Sequence, residues 1–98
     1  MTGIGIMKHT RNFIVESDHG LHARPAAELA QVAQSFQADI IFSGNGTSAN
    51  AKSILSLLLL KAVKGTELTV TADGADAAAA LRAIRQAGCL SGLKPQSA

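Results

Sequence analysis

The spacing of apolar residues changes period several times along this chain, and the order of those changes strongly restricts the fold. Leu68, Val70 and Ala72 alternate with polar residues in GTELTVTADG, which predicts a strand with one buried face. NFIVES, which begins at Asn12, has the same alternation. DIIFS, which begins at Asp39, is a short apolar strand. The GNG that follows it predicts a hairpin, with TSANA as a polar edge strand on the far side.

In three further segments, the apolar residues recur at the spacing of an α-helix. The first begins near Pro25, the second follows Ser53 as its N-cap, and the third follows Asp76 and is predicted to end at Gly88. The apolar residues of the second, SILSLLLLKAV, surround the helix axis, so some must be buried and others exposed. In the first helix a single apolar stripe is formed by Ala26, Leu29, Ala30, Ala33 and Phe36.

The resulting order, β-α-β-β-α-β-α, predicts an α+β fold in which the helices cover one face of an open sheet. We expect one domain over residues 1–98, because neither an internal repeat nor a linker interrupts the pattern. Residues 1–10 are expected to form a loose extension. The C-terminal segment LSGLKPQSA is expected to fray, with residues 94–98 as its loose end.

Composition argues against several classes of function. The net charge is only +2 and no basic run interleaves with aromatic residues, so nucleic-acid binding has little support. The longest apolar run, ILSLLLL, is far shorter than the ~20 residues that span a bilayer. The N-terminal residues lack the pattern of a secretory signal. Cys89 is the only cysteine, so no intramolecular disulfide can form, and a cytoplasmic location is expected.

The segment SDHGLHARPAAELAQVA places a histidine, an arginine and a proline at a predicted helix start. Pro25 suits the first helical turn, where its missing N–H has no cost. The backbone amides of Ala23 and Arg24 then precede the first intrahelical hydrogen bonds, and together with the helix dipole they form an anion-binding position. The Arg24 guanidinium can bind a phosphoryl group at that position through two N–H donors.

His22 lies beside this position, and two roles are open to it. A neutral imidazole has a free lone pair, so His22 can act as a nucleophile towards phosphorus while Arg24 and the amides stabilise charge. Alternatively, His22 is a polar N-cap residue and Arg24 a solvated surface charge. The residues at the helix start do not decide between these two roles by themselves.

The motif GLHARPAAELA strongly resembles the active-site signature of the histidine-containing phosphocarrier (HPr) family of the bacterial phosphotransferase system. A second segment, ANAKSILSLLLL, resembles the serine region of that family at the expected separation, and the element order matches from about Arg11 to Leu93. The resemblance implies an HPr-like open-faced sandwich, with a four-stranded antiparallel sheet and three helices on one face. It also implies a phosphocarrier that is not a self-sufficient enzyme.

In that family, enzyme I takes phosphate from phosphoenolpyruvate and phosphorylates the histidine on its δ1 ring nitrogen. The resemblance therefore implies that His22 carries the phosphate, that Arg24 stabilises it and that Pro25 fixes the helix start. IIA-type domains of sugar uptake are the implied acceptors. No cofactor is implied beyond the phosphoryl group itself, and a monomer is expected.

Ser53 matches the serine that an HPr kinase/phosphorylase modifies in some members, and a phosphate at a helix N-terminus is tolerated by a fold. Ser53 can instead serve only as the cap of its helix. Ile54, Leu55 and Leu58 follow on the helix that, in this family, forms the docking surface for partners together with the first helix. Exposed apolar residues suit a transient interface, although a core role is also open, above all for Leu58.

Two positions depart from the family pattern. His19 occupies a position where many members have serine or asparagine, and Lys61 stands where sugar-branch members usually have glycine. Some nitrogen-branch relatives carry a charged residue there, so a nitrogen-branch or Ser53-phosphorylated regulator that docks partner proteins is the alternative function. His19 and His22 have no evident third ligand, so no metal site is predicted. GTSANAKS is not a P-loop, because Ala51 replaces the glycine required before the lysine.

Overall fold

The computed structural model describes residues 8–87 and 90–92. The element order contains the predicted β-α-β-β-α-β-α series and adds one short strand at its end. The elements are β1 (Lys8–Val15), α1 (Ala23–Gln34), β2 (Asp39–Gly44), β3 (Thr47–Asn50), α2 (Ile54–Leu59), β4 (Glu67–Asp73), α3 (Ala77–Arg85) and β5 (Leu90–Gly92).

All the strands in the described residues belong to one antiparallel sheet with the order β3-β2-β4-β1-β5. The centre of the sheet is β4, which pairs with β1 on one side and with β2 on the other. β3 pairs with β2 alone among the described strands, as predicted for an edge strand. The predicted four-stranded antiparallel sheet is therefore present, and β5 extends it beside the last three residues of β1.

The structure corrects the prediction at both ends of the chain. Residues 8–10 pair with residues 71–73 of β4, so the loose N-terminal extension is wrong for these three residues. β4 extends far enough to give them backbone partners, and β1 is correspondingly long. At the other end, residues 90–92 form β5 instead of fraying, because β1 offers them a free edge. Residues 1–7 and the predicted loose end, 94–98, lie outside the described residues.

Two helices are shorter than their sequence patterns. α2 ends at Leu59, because the chain turns at Lys61 into a left-handed conformation with φ of 53°. α3 ends at Arg85, before the predicted terminator Gly88, which lies outside the described residues. No helix in the part of the chain that the structure describes is long and apolar enough to cross a membrane.

The core lies between the helices and one face of the sheet. Alternate strand residues are buried, as the period of two predicts: Phe13, Val15, Ile40, Phe42, Leu68, Val70 and Ala72. The predicted stripe of α1 is buried against them over its first four members, and Phe36, beyond the helix end, is half-buried. The two kinds of residue expected in α2 are also present, since Leu57 is buried while Leu55 and Leu59 are exposed.

The β2–β3 hairpin reaches across to the end of α2. Its turn contains Asn45 and Gly46, both with positive φ, as the GNG signal predicts. The Asn45 side-chain amide donates to the carbonyl oxygen of Leu60 at 3.0 Å and to that of Lys61 at 3.3 Å. The hairpin thus supplies donors for backbone carbonyls that the short helix leaves without internal partners.

Asp76 connects α3 to the turn between α1 and β2. Its carboxylate oxygens accept the backbone N–H groups of Gln37 at 2.8 Å and Ala38 at 2.9 Å. Asp76 is the N-cap residue of α3, yet its side chain forms no cap hydrogen bond to that helix. The hydrogen bond from Gln37 is the main cause that lowers the pKa of Asp76 from its ordinary value.

We expect Asp76→Ala to lower the free energy of unfolding at neutral pH, because two backbone N–H groups lose their acceptor. The pKa of Asp76 is lower in the folded state, so its stabilisation is fully present above the ordinary value of 3.8. That stabilisation is lost as the pH falls through the folded-state pKa. The difference between parent and variant in urea unfolding should therefore shrink from pH 7 to pH 2.

Asp76→Asn is the matched control, because it keeps one acceptor oxygen but cannot ionise. Its stability should fall between those of the parent and Asp76→Ala at pH 7. An Asp76→Ala deficit of the same size at pH 7 and pH 2 would contradict the role of the ionised carboxylate.

Candidate functional site at the start of α1

His22 is the N-cap residue of α1, and its backbone and side chain play different parts. The backbone is extended, with φ of −87° and ψ of −170°, and its carbonyl accepts the first helical hydrogen bond from the Ala26 amide at 3.0 Å. The imidazole forms no cap hydrogen bond and is exposed. The N-cap alternative therefore describes the backbone of His22 and leaves its ring available for chemistry.

The three residues after His22 form the first turn of α1. Pro25 is buried in the third helical position, where an N–H would have no partner within the helix. The amides of Ala23 and Arg24 precede it, and within residues 8–87 no hydrogen bond to another backbone group satisfies them. Two N–H donors thus remain at the positive end of α1, as the sequence predicts.

A shallow depression of about 360 Å³ brings together the three predicted residues of the site. Arg24 is exposed and, in the described part of the chain, lies within 4.0 Å of no carboxylate. Its guanidinium is therefore free to bind an anion. The residues that line the depression are Glu16, Ser17, His22, Arg24, Pro25, Glu28 and Ala87.

Four of these lining residues have no functional role predicted from the sequence. Glu28 follows Arg24 by four positions, a spacing that places both on one helix face and that offered a usable signal. Glu16 and Ser17 follow β1 directly, and only the sheet topology brings the end of β1 to the start of α1. Ala87 comes after α3 and has no signal in the sequence.

The start of α1 is fixed by close contact with the segment after α2. The Leu21 amide donates to the Ala62 carbonyl oxygen at 2.8 Å, and the Leu21 side chain is buried. Gly20 has φ of 72°, and a Cβ atom at this position would lie 2.5 Å from the Ala62 oxygen. Glycine is therefore required at Gly20 both by the backbone conformation and by the close approach.

A salt bridge adds a second connection between these two segments. Lys64 Nζ donates to Asp18 Oδ1 at 2.9 Å. This hydrogen bond is the main cause that lowers the pKa of Asp18 and raises the pKa of Lys64. Both side chains are largely exposed, so the pair contributes little to stability and mainly reduces the charge at this edge of the site.

His19, which departs from the family pattern, lies beside His22. The two ring centroids are 5.8 Å apart, with an edge-to-face angle of 86° between the ring planes. A turn supports His19, because the Gly20 amide donates to the Ser17 carbonyl oxygen at 2.9 Å. The His22 imidazole therefore has a second imidazole as its neighbour.

Lys61, the other departure, occupies a conformation that glycine adopts more easily. It follows the C-cap residue of α2 in the left-handed region, and its amide donates to the Leu58 carbonyl oxygen at 3.1 Å. The glycine expected at this position thus has a backbone explanation, since a Cβ atom in the left-handed region is strained. The lysine side chain itself is exposed.

Ser53 is the N-cap of α2, as predicted. Its hydroxyl oxygen accepts the Ser56 amide at 3.2 Å, and its own amide donates to the Asn50 carbonyl oxygen at 3.0 Å. The side chain is half-buried. The structure therefore gives Ser53 a definite structural role.

An apolar patch extends from α2 towards the site. We define it by four exposed side chains, Ile54 (43%), Leu55 (66%), Leu59 (58%) and Val63 (67%). The predicted docking residues Ile54 and Leu55 belong to it, whereas Leu58 is half-buried and packs against the core. Leu59 was missed, although it follows Leu55 by one helical turn. The backbone of Val63 lies close to Gly20, since a Cβ atom added at Gly20 would come within 2.9 Å of the Val63 Cα, so this end of the patch is near the loop that leads to His22.

Comparison with known proteins identifies the class to which this fold and site belong. The family model described as "PTS HPr component phosphorylation site" matches residues 9–87. The phosphocarrier protein HPr of Vibrio cholerae is 46% identical over 63 residues, which cover 64% of this chain and 74% of that protein. A multiphosphoryl transfer protein of Escherichia coli O157:H7 is 42% identical over 78 residues, which cover 76% of this chain and 21% of that protein.

A solved structure gives the same result for the fold. The phosphocarrier protein HPr of Bacillus anthracis matches with a TM-score of 0.77 and 38% sequence identity, covering 82% of this chain and 95% of that one. The chain therefore belongs to the HPr family of phosphocarriers of the phosphotransferase system. The resemblance inferred from GLHARPAAELA and ANAKSILSLLLL is confirmed at the level of the family.

We expect Lys61→Gly to raise the free energy of unfolding by about 1 kcal/mol, because it removes the Cβ atom from a left-handed position. Urea unfolding at neutral pH measures this difference. Lys61→Ala is the matched control, since it removes the charge but keeps the Cβ atom, and it should be about as stable as the parent. Equal stabilisation by both variants would show that charge, and not backbone strain, is responsible.

Proposed function

We propose that this protein accepts a phosphoryl group on His22 from phosphorylated enzyme I and passes it to IIA-type domains in sugar uptake. The observation that carries the proposal is the arrangement at the start of α1. An exposed imidazole without a cap hydrogen bond lies beside two backbone N–H donors and an arginine that has no carboxylate partner among the described residues. Such an arrangement suits reversible binding and transfer of a phosphoryl group.

The transfer exchanges one N–P bond for another. A ring nitrogen of neutral His22 directs its lone pair at phosphorus, and the N–P bond to the phosphohistidine of the donor breaks as the new bond forms. The donor imidazole keeps the electron pair of the broken bond. The Arg24 guanidinium and the amides of Ala23 and Arg24 can donate to the phosphoryl oxygens throughout the step. Delivery to the acceptor is the same exchange in the opposite direction.

The apolar patch is the surface by which we propose that enzyme I and IIA-type domains bind. Its four side chains are exposed in the free protein, and burying them gains free energy for a transient complex. Val63 places one end of the patch beside the loop that leads to His22. A partner on the patch therefore brings its own reactive group next to the imidazole.

Ser53 is proposed as a second phosphorylation site, one that regulates docking. Its hydroxyl oxygen already accepts the Ser56 amide, and a phosphoserine oxygen can accept the same N–H, so α2 retains its cap. The modification places about two negative charges beside Ile54 and Leu55. Those charges oppose the burial of the apolar patch and so weaken binding of a partner.

Incubation with phosphoenolpyruvate and enzyme I, followed by intact-mass measurement, tests the acceptor. The parent should gain one phosphate that acid removes, because phosphohistidine is acid-labile. His22→Ala should gain none, since it lacks the imidazole that lies beside the free amides of Ala23 and Arg24. His9→Ala is the matched control, because it removes an exposed histidine from β1, and it should behave as the parent does. Equal phosphate uptake by His22→Ala and the parent would refute the proposal.

Leu55→Ser tests the docking surface. Because Leu55 is exposed, the substitution should leave the free energy of unfolding nearly unchanged. It should raise the carrier concentration needed for half-maximal phosphorylation by enzyme I by about tenfold, with little change in the maximal rate. The control is Ile41→Ser, since Ile41 is partly exposed on β2, outside the patch. A similar effect of both substitutions would count against the patch as the docking surface.

A further inference from the structure

The imidazole of His19 is the feature of the site that the proposed transfer does not use. Its ring lies edge-to-face with the ring of His22, at a centroid distance of 5.8 Å. Both side chains are exposed, so the contact does not bury the two rings in the core. A second imidazole therefore lies next to the ring to which a phosphoryl group would be attached.

The backbone holds His19 close to His22. The turn closed by the Ser17 carbonyl and the Gly20 amide contains His19, and Gly20 packs directly against the backbone of Ala62 and Val63. Leu21, which lies between Gly20 and His22, has a buried side chain, and its amide donates to the Ala62 carbonyl oxygen. The main chain between the two histidines is thus anchored on both sides.

We propose that His19, in its protonated form, donates a hydrogen bond to the phosphoryl group carried by His22 and thereby stabilises the phosphorylated carrier. The proposal rests on phosphorylation of His22 and goes beyond it by adding a second histidine to the site. No bond to His19 forms or breaks: the N–P bond stays on His22, and the His19 N–H interacts with a phosphoryl oxygen. An N–H of a cation is a stronger donor to an anion than a neutral one.

Charged side chains on the neighbouring segments set the conditions under which this effect of His19 can be observed. Its own loop contributes Glu16 and Asp18, and Asp18 is bound by Lys64. From α1 come Arg24 and Glu28, which line the depression, and the segment after α2 carries Lys61 as well as Lys64.

Carboxylates, lysines and arginine keep their charges between pH 6 and pH 8, whereas imidazoles change theirs in this range. A phosphoryl group also titrates near pH 6. A comparison in which both proteins carry the same phosphoryl group on His22 cancels that contribution. Any remaining difference in the equilibrium share of the phosphoryl group is then due to the side chain at position 19.

The experiment is a competition between the parent and His19→Phe. Phenylalanine retains a flat ring that can pack edge-to-face against His22, but it has no N–H and no charge. Phosphorylated parent is mixed with an equal amount of unphosphorylated His19→Phe and a catalytic quantity of enzyme I. The phosphoryl group then redistributes to equilibrium, and intact mass reports its share on each protein. The equilibrium ratio does not depend on how well enzyme I recognises either protein.

At pH 8 the phosphoryl group should be shared almost equally, because imidazoles in general lose their positive charge between pH 6 and pH 8. At pH 6 it should favour the parent by about fivefold, the upper range for an exposed charge pair. An equal share at both pH values overturns the proposal. So does a preference of the same size at both, because that would not depend on a proton. His9→Phe, which removes an exposed histidine from β1, should share equally with the parent at both pH values.

A second measurement needs no partner protein. Parent and His19→Phe are charged with potassium phosphoramidate, which transfers its phosphoryl group to histidine with loss of ammonia. The rate at which water then removes the phosphate is followed at pH 6 and pH 8. At pH 6 the parent should lose its phosphate more slowly than the variant, whereas at pH 8 the two rates should be equal. Equal rates for the two proteins at both pH values would overturn the role of His19. Chemical charging that succeeds where enzyme I fails would contradict the proposed function and still test His19.

Discussion

The hydrogen bond from the Leu21 amide to the Ala62 carbonyl is the interaction on which the geometry of the site depends. It joins the start of α1 to the chain leaving α2, and it forms only because Gly20 allows the two backbones to approach closely. The bond sets where α1 begins and therefore where His22 exposes its ring. It also places Val63, the near end of the apolar patch, beside the loop that leads to His22.

A second set of contacts supports the segment after α2, which carries the Ala62 carbonyl. Asn45, at the tip of the β2–β3 hairpin, donates to the last carbonyls of α2 and so supports the left-handed turn at Lys61. The position of Ala62 follows from this turn. The side chain of Asn45 thus helps to determine where the start of α1 is held.

Periodicity predicted the order of elements, the buried faces and the GNG turn, because these depend on local spacing and on steric limits. The placement of Pro25 likewise indicated the free amides at the start of α1. Sequence could not show that Glu16 and Ala87 line the same depression as His22, because only the sheet topology brings these separate elements together. It also could not locate β5, whose strand depends on the free edge of β1 and not on its own composition.

The position of β4 at the centre of the sheet has a consequence for the synthesis of the chain. β1 and β2 are not adjacent, and each needs β4 to complete its pairing, although both precede it. The turn after α1 depends in the same way on Asp76, because the Asp76 carboxylate accepts the backbone amides of Gln37 and Ala38 in that turn. A nascent chain that ends before residue 67 lacks the strand that unites its sheet, so the native sheet can form only after β4 has been synthesised.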